Sequence, residues 1–239
     1  MKRIFAVLLV WSLLPSCVPA LSQNLSSSAR RNPYFTDLLN GMSFVRPESQ
    51  VEGDPYLERH WNQSIITVYE SKEPAAGYYT RYNLYTNTLE ILMERGPVGL
   101  DVTRVNFLET KDSLSGVKKQ FTNAREYTID GIPMIGLVEV LVDGQVSLLR
   151  RTGLVITPPN YNAALNAGSR NTRITKTSEL LYAFGADARK VKSRKKFFAS
   201  FGKDSAWLEK YASDNKLSHD SERHLIALLT HYNETFGKQ

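Results

Sequence analysis

The stretch IGLVEVLVDGQVSLLRRTGLVI, residues 135–156, predicts the fold most directly. Asp143 and Gly144 separate two runs rich in Val and Leu, and both tolerate the positive φ of a tight hairpin turn. Apolar side chains fall on both faces of the first run: Val138, Val140 and Val142 on one, Leu137 and Leu141 on the other. This pattern is typical of an inner strand that is covered on both faces.

A single charge interrupts the first run of this hairpin. Glu139 stands between Val138 and Val140, and charged residues are seldom buried without a partner. We therefore expect Glu139 to lie at a sheet edge or to pair with Arg150 or Arg151 on the neighbouring strand.

Period-two segments precede the hairpin at 64–71, 78–94, 102–110 and 120–129. The segment 78–94 fits one long or two short strands, and EPAAG (73–77) predicts a turn. Turn signals recur about every 8–12 residues, which favours an antiparallel meander of about six to eight strands.

The period changes towards the C-terminus. Pro158-Pro159 stops the sheet, 160–173 is a polar loop, and 178–192 predicts another hairpin around Gly185. Helices then begin at capping residues Ser193 and Asp204, and the last helix has an apolar stripe of Leu225, Leu228, Leu229 and Tyr232.

The predicted fold class is α+β, an antiparallel β-meander with two or three C-terminal helices. We place the meander at residues 56–192 and the helical segment, packed on the sheet, at 193–239. The helices need an apolar partner, and the sheet is the only candidate large enough.

The N-terminus predicts export. Lys2 and Arg3 precede an eleven-residue apolar run, which is too short for a membrane span and suits a signal peptide over residues 1–22. Two endings are compatible with the sequence: ordinary cleavage after small residues, or lipid attachment at Cys17. Residues 23–55 are polar and rich in turn-forming residues, which predicts a flexible leader with a short apolar turn around 34–39.

The cysteine content restricts the cellular compartment that we expect, and the net charge restricts the class of partner. Cys17 is the single cysteine, so no intramolecular disulfide forms, and a bacterial envelope protein is favoured over a secreted eukaryotic one. We expect a periplasmic or outer-membrane-associated protein. The formal net charge of +6 is too small to indicate nucleic-acid binding, so no nucleic-acid partner is predicted.

Four segments carry a resemblance: GDPYL (53–57), YNLYTNTLEI (82–91), LVEVLVDGQVSLLRR (137–151) and SRKKFFASFGKDSAWLEKYASDNKL (193–217). The chain resembles, over about residues 53–233, a family of uncharacterised exported, lipoprotein-like proteins common in Bacteroidota. The resemblance implies an envelope location and a β-meander with a helical tail. It supplies no catalytic residue.

Catalytic signatures are absent from the sequence: no G-x-S-x-G, H-E-x-x-H, C-x-x-C, P-loop or G-x-G-x-x-G motif occurs. His224 and His231 are seven residues apart, about 10 Å along a helix, too far for one metal ion. No cofactor and no metal are predicted. We expect a non-catalytic envelope protein that binds a protein or a glycan; the alternative is an envelope-polymer hydrolase with a site assembled from scattered residues.

The tyrosine-rich stretch GYYTRYNLYTNTLEI (77–91) is the first place to look for a ligand. Strand architecture explains most of its composition, because Tyr and Thr suit a pleated, half-buried surface, and Asn87 fits a turn. Tyr79, Asn83 and Tyr85 fall on one face together with Arg81. If a binding face exists, we expect it at Tyr79, Asn83 and Tyr85.

A basic run spans residues 188–196. Its cations are Arg189, Lys190, Lys192, Arg194, Lys195 and Lys196. They predict docking to an anionic membrane surface or glycan; the alternative is an ordinary solvent-exposed face. Cations at a helix N-terminus are mildly unfavourable electrostatically. A docking role would explain why they are present there.

Overall fold

The computed structural model describes residues 32–43, 51–162 and 164–237. The predicted signal peptide at 1–22, Cys17 and much of the predicted leader lie outside the described residues. The helices are α1 Pro33–Asn40, α2 Arg194–Ala199, α3 Ser205–Asp214 and α4 Glu222–Phe236. The strands are β1 Val51–Glu52, β2 Asn62–Val68, β3 Ser71–Asn83, β4 Thr88–Met93, β5 Gly96–Asp101, β6 Val105–Lys111, β7 Lys118–Asn123, β8 Thr128–Ile129, β9 Ile132–Pro133, β10 Leu137–Val142, β11 Val146–Thr157, β12 Thr172–Phe184 and β13 Asp187–Lys190.

The α+β class with an antiparallel meander is confirmed. The strand order is β5-β4-β3-β2-β6-β7-β10-β11-β12-β13-β8-β9, and β1 pairs in parallel with β12. The described chain contributes 13 strands to this sheet, more than the six to eight expected. The excess arises in part because β1, β8 and β9 have two residues each, too few for an alternating pattern to be visible.

The hairpin forms at the predicted place, but its turn spans the three residues 143–145, and of the predicted pair Gly144 has a positive φ whereas Asp143 does not. β10 pairs with β7 on one side and β11 on the other, and Val138 and Leu137 are buried on opposite faces. Gly144 has φ +148° in the turn. Glu139 Oε2 lies 2.9 Å from Arg150 Nη1, which confirms the expected ion pair and selects Arg150 over Arg151.

The turn predicted at 73–77 is wrong. β2 and β3 are joined through Tyr69 and Glu70, and the EPAA segment runs inside β3. Pro74 is tolerated there because β3 pairs with β4 only over residues 80–83. The N-terminal part of β3 is therefore paired with a strand on one side only, where a missing N–H breaks no ladder. The segment 78–94 forms two strands, and Asn87 occupies the turn with φ +53°.

Part of the expected flexible leader is ordered and packed. Asn32 caps α1 by accepting the Phe35 N–H at 3.1 Å, and Phe35 and Leu39 are buried. The Phe35 ring meets Tyr78 edge-on at 5.2 Å, so α1 covers the face of β3 to which Tyr78 points. β1 pairs with β12, so the sheet also begins before residue 56. The burial of Phe35 and Leu39 stabilises α1 against the sheet, although most residues around them in the sequence are polar.

The C-terminal helices pack on β10, β11 and β12, as predicted. Their shared core includes Val146, Leu148 and Tyr182 from the sheet together with the predicted stripe Leu225, Leu228, Leu229 and Tyr232. Ser193 caps α2 by accepting the Lys196 N–H. Asp204 precedes α3 but makes no side-chain cap; its Oδ2 instead accepts the Tyr232 hydroxyl at 3.0 Å. No helix in the described residues has the length and hydropathy of a membrane span.

Candidate binding surface

A buried ion pair organises the face of β3 opposite α1. Arg81 and Glu90 are paired residues of β3 and β4, and Arg81 Nε donates to Glu90 Oε2 at 2.8 Å. Glu90 is fully buried, and Tyr56 donates its hydroxyl to Glu90 Oε1 at 3.1 Å. Burial first, and then the Glu90 charge, raises the pKa of Tyr56. Glu90 is therefore a structural carboxylate with its oxygens already engaged.

The Arg81 guanidinium also positions an aromatic ring. It lies over both rings, 4.0 Å from the centroid of Tyr56 and 4.4 Å from that of Trp61. Such cation–π contacts stabilise by about 0.5–2 kcal/mol each. Trp61 is therefore held in a defined orientation at the start of β2.

Four side chains next to this cluster form a contiguous surface. Tyr79, Gln63 and Lys111 are paired residues of β3, β2 and β6, and paired residues share a face of the sheet. Trp61 precedes Gln63 by two positions and contacts Arg81 of the same face. We call Trp61, Gln63, Tyr79 and Lys111 the aromatic platform.

The polar groups of the platform have no partner among the described residues. This holds for the Trp61 Nε1–H, the Gln63 amide, the Tyr79 hydroxyl and the Lys111 ammonium. Charged neighbours on the same face are paired: Lys118 Nζ lies 2.9 Å from Glu109 Oε1. The platform thus differs from its surroundings in having hydrogen-bonding groups free to meet a ligand.

A hollow of about 230 Å³ adjoins the platform. Gln63 and Lys111 line it together with Ile65, Gly77 and Glu109. It forms where the β2–β3 register shifts between Ser64 and Ile65, and Gly77, at φ +84°, contributes no side chain. β-Bulges recur beside functional sites because they change the direction of nearby side chains. The bulge here leaves room for a group bound against Gln63 and Lys111.

The predicted site residues are only partly brought together. Tyr79 lies on the platform. Asn83 is buried, its Oδ1 accepts the N–H groups of Tyr85 and Thr86 at 3.0 and 3.1 Å, and its Nδ2 donates to Glu90 at 3.4 Å. Asn83 thus holds the turn in which Tyr85 lies.

Sequence reasoning missed Trp61, Gln63 and Lys111. The alternation in WNQSIITV (61–68) places Trp61 and Gln63 on one face of β2. The β2–β3 register that sets Gln63 beside Tyr79 depends on the turn, which was predicted in the wrong place.

The six cations of the basic run are all exposed, and half of them are paired. Arg189 pairs with Asp187 at 2.6 Å, Lys190 with Glu179 at 2.7 Å and Arg194 with Glu209 at 3.4 Å. Lys192, Lys195 and Lys196 have no side-chain partner within the described ranges. The run therefore offers three ammonium groups near the start of α2 that no side chain of the described residues pairs.

Glu58, His60 and Asp112 place three potential metal-ligand atoms within 4.8 Å of one another. His60 Nε2 lies 3.3 Å from Asp112 Oδ2, but the Lys119 ammonium pairs with Glu58 and lies 3.9 Å from Asp112. Asp112 accepts the Ser115 and Leu114 N–H groups, and the Ser115 bond is the main cause of the lowered pKa of Asp112. The cluster therefore supports the β6–β7 turn through the hydrogen bonds of Asp112, and the Lys119 ammonium lies against both carboxylates.

Comparison of the chain with protein-family models, with curated proteins and with solved structures finds no match.

Proposed function

We propose that this chain is a non-catalytic protein of the bacterial cell envelope, exported to the periplasm or the outer membrane, that binds a ligand through the aromatic platform. Export is supported by the charged and apolar pattern of residues 1–22. The resemblance to exported proteins of Bacteroidota supports the same compartment. Lipid attachment at Cys17 remains the alternative to ordinary cleavage.

One observation supports the binding role: four adjacent side chains present polar groups that have no partner among the described residues, while the charges of Lys118 and Glu109 beside them are paired. Binding sites commonly combine aromatic surface with a few placed hydrogen-bonding groups. Trp61 and Tyr79 supply the aromatic surface, and Gln63 and Lys111 supply the polar groups. The adjoining hollow gives a ligand a second contact.

The carboxylates support binding better than hydrolysis. A glycoside hydrolase needs one carboxyl group as proton donor and a second as base or nucleophile, with substrate between them. Glu90 is buried against Arg81, and Asp112 accepts backbone N–H groups of its turn and lies 3.9 Å from the Lys119 ammonium. Glu139, whose pKa burial raises, is paired with Arg150.

Co-sedimentation with isolated cell envelopes tests the proposal. We expect the wild-type protein to pellet with envelopes and the triple variant Trp61→Ala/Gln63→Ala/Tyr79→Ala to stay in the supernatant. The control Gln145→Ala/Tyr161→Ala changes one Gln and one Tyr away from the platform, at an exposed turn and in a loop, and should pellet like wild type. Equal pelleting of the triple variant would show that the platform is not the binding surface.

A further inference from the structure

We infer that the ligand of the aromatic platform is a saccharide of the cell envelope; this rests on the proposed binding function and gives its ligand a chemical class. Two features of the platform favour a saccharide: its ring surface, and hydrogen-bonding groups that include both donors and acceptors.

The ring surface suits the C–H face of a sugar. Aromatic rings carry partial negative charge on their faces, which attracts the weakly positive C–H groups of a pyranose. Arg81 covers one face of Trp61 at 4.4 Å, and no ring or second cation of the described chain contacts the other. The Tyr79 ring likewise contacts no other aromatic ring of the described residues. Trp61 and Tyr79 can therefore each offer a ring face whose orientation the sheet holds.

The hydrogen-bonding groups match hydroxyls. A sugar hydroxyl both donates and accepts, so its site needs both kinds of partner. Gln63 supplies an amide N–H₂ and an amide oxygen, Tyr79 a hydroxyl that donates and accepts, and Lys111 and Trp61 supply donors. All four are unpartnered within the described chain. A sugar on the platform would thus satisfy groups that are otherwise left to water.

A protein partner would be expected to use a different surface. The buried centre of a protein–protein interface is apolar and depleted in charge. The most exposed large apolar side chains lie outside the platform: Leu114, Ile132, Ile135 and Leu165 are 70–82% exposed. The platform has the amide of Gln63 at its centre, between Tyr79 and Lys111, which favours a polyhydroxylated ligand.

Selective destruction of envelope components tests this class directly. One envelope sample is oxidised with periodate, which cleaves vicinal diols, and then reduced with borohydride so that no aldehyde can trap lysines. A second sample is digested with protease, which is then inactivated and washed out. We expect the full-length protein to lose binding to the periodate-treated envelopes and to keep it with the protease-treated ones.

The opposite result would contradict the inference that the ligand is a saccharide. Loss of binding after protease, with binding kept after periodate, identifies a protein partner and leaves the proposed binding function standing. Failure to bind untreated envelopes overturns the saccharide and the proposed function together. The two failures are therefore distinguishable in one experiment.

Single substitutions on the platform test whether Trp61 and Gln63 contact the saccharide. On protease-treated envelopes, Trp61→Ala should weaken binding about tenfold, because a stacked aromatic contact has that order of effect, and Trp61→Phe should recover most of it. Gln63→Ala keeps both rings and should weaken binding several-fold through lost hydrogen bonds. Thermal unfolding of each variant confirms that it is folded. Wild-type affinity in both Trp61→Ala and Gln63→Ala, with folding intact, would contradict the inference.

Discussion

At the scale of single residues, Arg81 connects stability to the binding surface. Its guanidinium pairs with Glu90 at 2.8 Å and lies over the rings of Tyr56 and Trp61. The alternation of residues 77–91 predicted that Tyr79 and Arg81 share a face. The same alternation could not predict that Tyr56 contacts Arg81, because Tyr56 lies 25 residues earlier in the sequence and only the folded chain brings the two together.

Arg81→Met should destabilise the protein by about 3 kcal/mol, because it leaves a buried carboxylate without its cation. Chemical denaturation measures the free energy of unfolding. Arg173→Met is the matched control: it breaks an exposed ion pair with Glu52 and should change stability by no more than about 0.5 kcal/mol. If the two variants lost equal stability, the Arg81–Glu90 pair would not have the structural role we assign to it.

At the scale of elements, one side chain joins α4 to the hairpin that determines the fold. Asn233 Oδ1 accepts the Val146 N–H at 2.9 Å, and its Nδ2 donates to the carbonyls of Val146 and Asp143. The hairpin and the helix were each predictable from periodicity. Their contact was not, because Asn233 lies outside the apolar stripe and carries no pattern of its own.

Asn233→Ala should cost about 1–3 kcal/mol, since it leaves partly buried backbone groups of the turn unsatisfied. The urea midpoint checks this. Glu234→Ala, at the exposed neighbouring position of the same helix, should stay within about 0.5 kcal/mol of wild type. A loss below that limit in Asn233→Ala would indicate that water replaces the amide at no cost.

The segment at the start of α2 gives a second prediction at this scale. Of its six cations, Lys192, Lys195 and Lys196 are unpaired among described residues. Changing these three to Gln should remove most of any association with anionic lipid vesicles at low salt. Changing Arg189, Lys190 and Arg194, which are already paired, should remove less. Vesicle co-sedimentation over a salt series measures both, because docking by clustered charge is screened by salt; equal binding by all three proteins would end the docking hypothesis.

At the scale of the whole molecule, two buried tyrosines make the fold sensitive to alkaline pH. Burial raises the pKa of Tyr82 and of Tyr232 to about 12 from the usual 10.0. Tyr82 belongs to the core under α1 and Tyr232 to the core of the C-terminal helices. Because the folded state holds these protons more tightly, the stabilisation is complete below pH 10 and is lost as pH rises towards 12.

Stability of the wild type should therefore fall between pH 10 and 12. Each tyrosine contributes a slope of up to about 1.4 kcal/mol per pH unit. In Tyr82→Phe and Tyr232→Phe the fall should be shallower, although each starts from a lower stability because a hydroxyl hydrogen bond is lost. Urea denaturation across this range measures the slopes; slopes equal to wild type would contradict the assigned cause.

Local patterns predicted much of the whole molecule. Periodicity identified the class, the hairpin around Asp143 and the stripe of α4, because each depends on residues close in sequence. α1 and β1 escaped prediction, because their places are decided by Tyr78 and Thr172 far along the chain. The platform escaped for the same reason: its members come from β2, β3 and β6, and only the register across three strands places them side by side.

The most direct test of the platform as the binding surface is the indole N–H resonance of Trp61. The chain has tryptophans at 11, 61 and 207, and protein expressed from residue 23 keeps Trp61 and Trp207, which the variant Trp61→Phe distinguishes. Soluble glycan released from cell envelopes is titrated into the labelled protein. We predict that the Trp61 resonance shifts progressively to saturation while that of Trp207 stays in place. Saturable binding of the glycan with an unmoved Trp61 resonance would contradict the account.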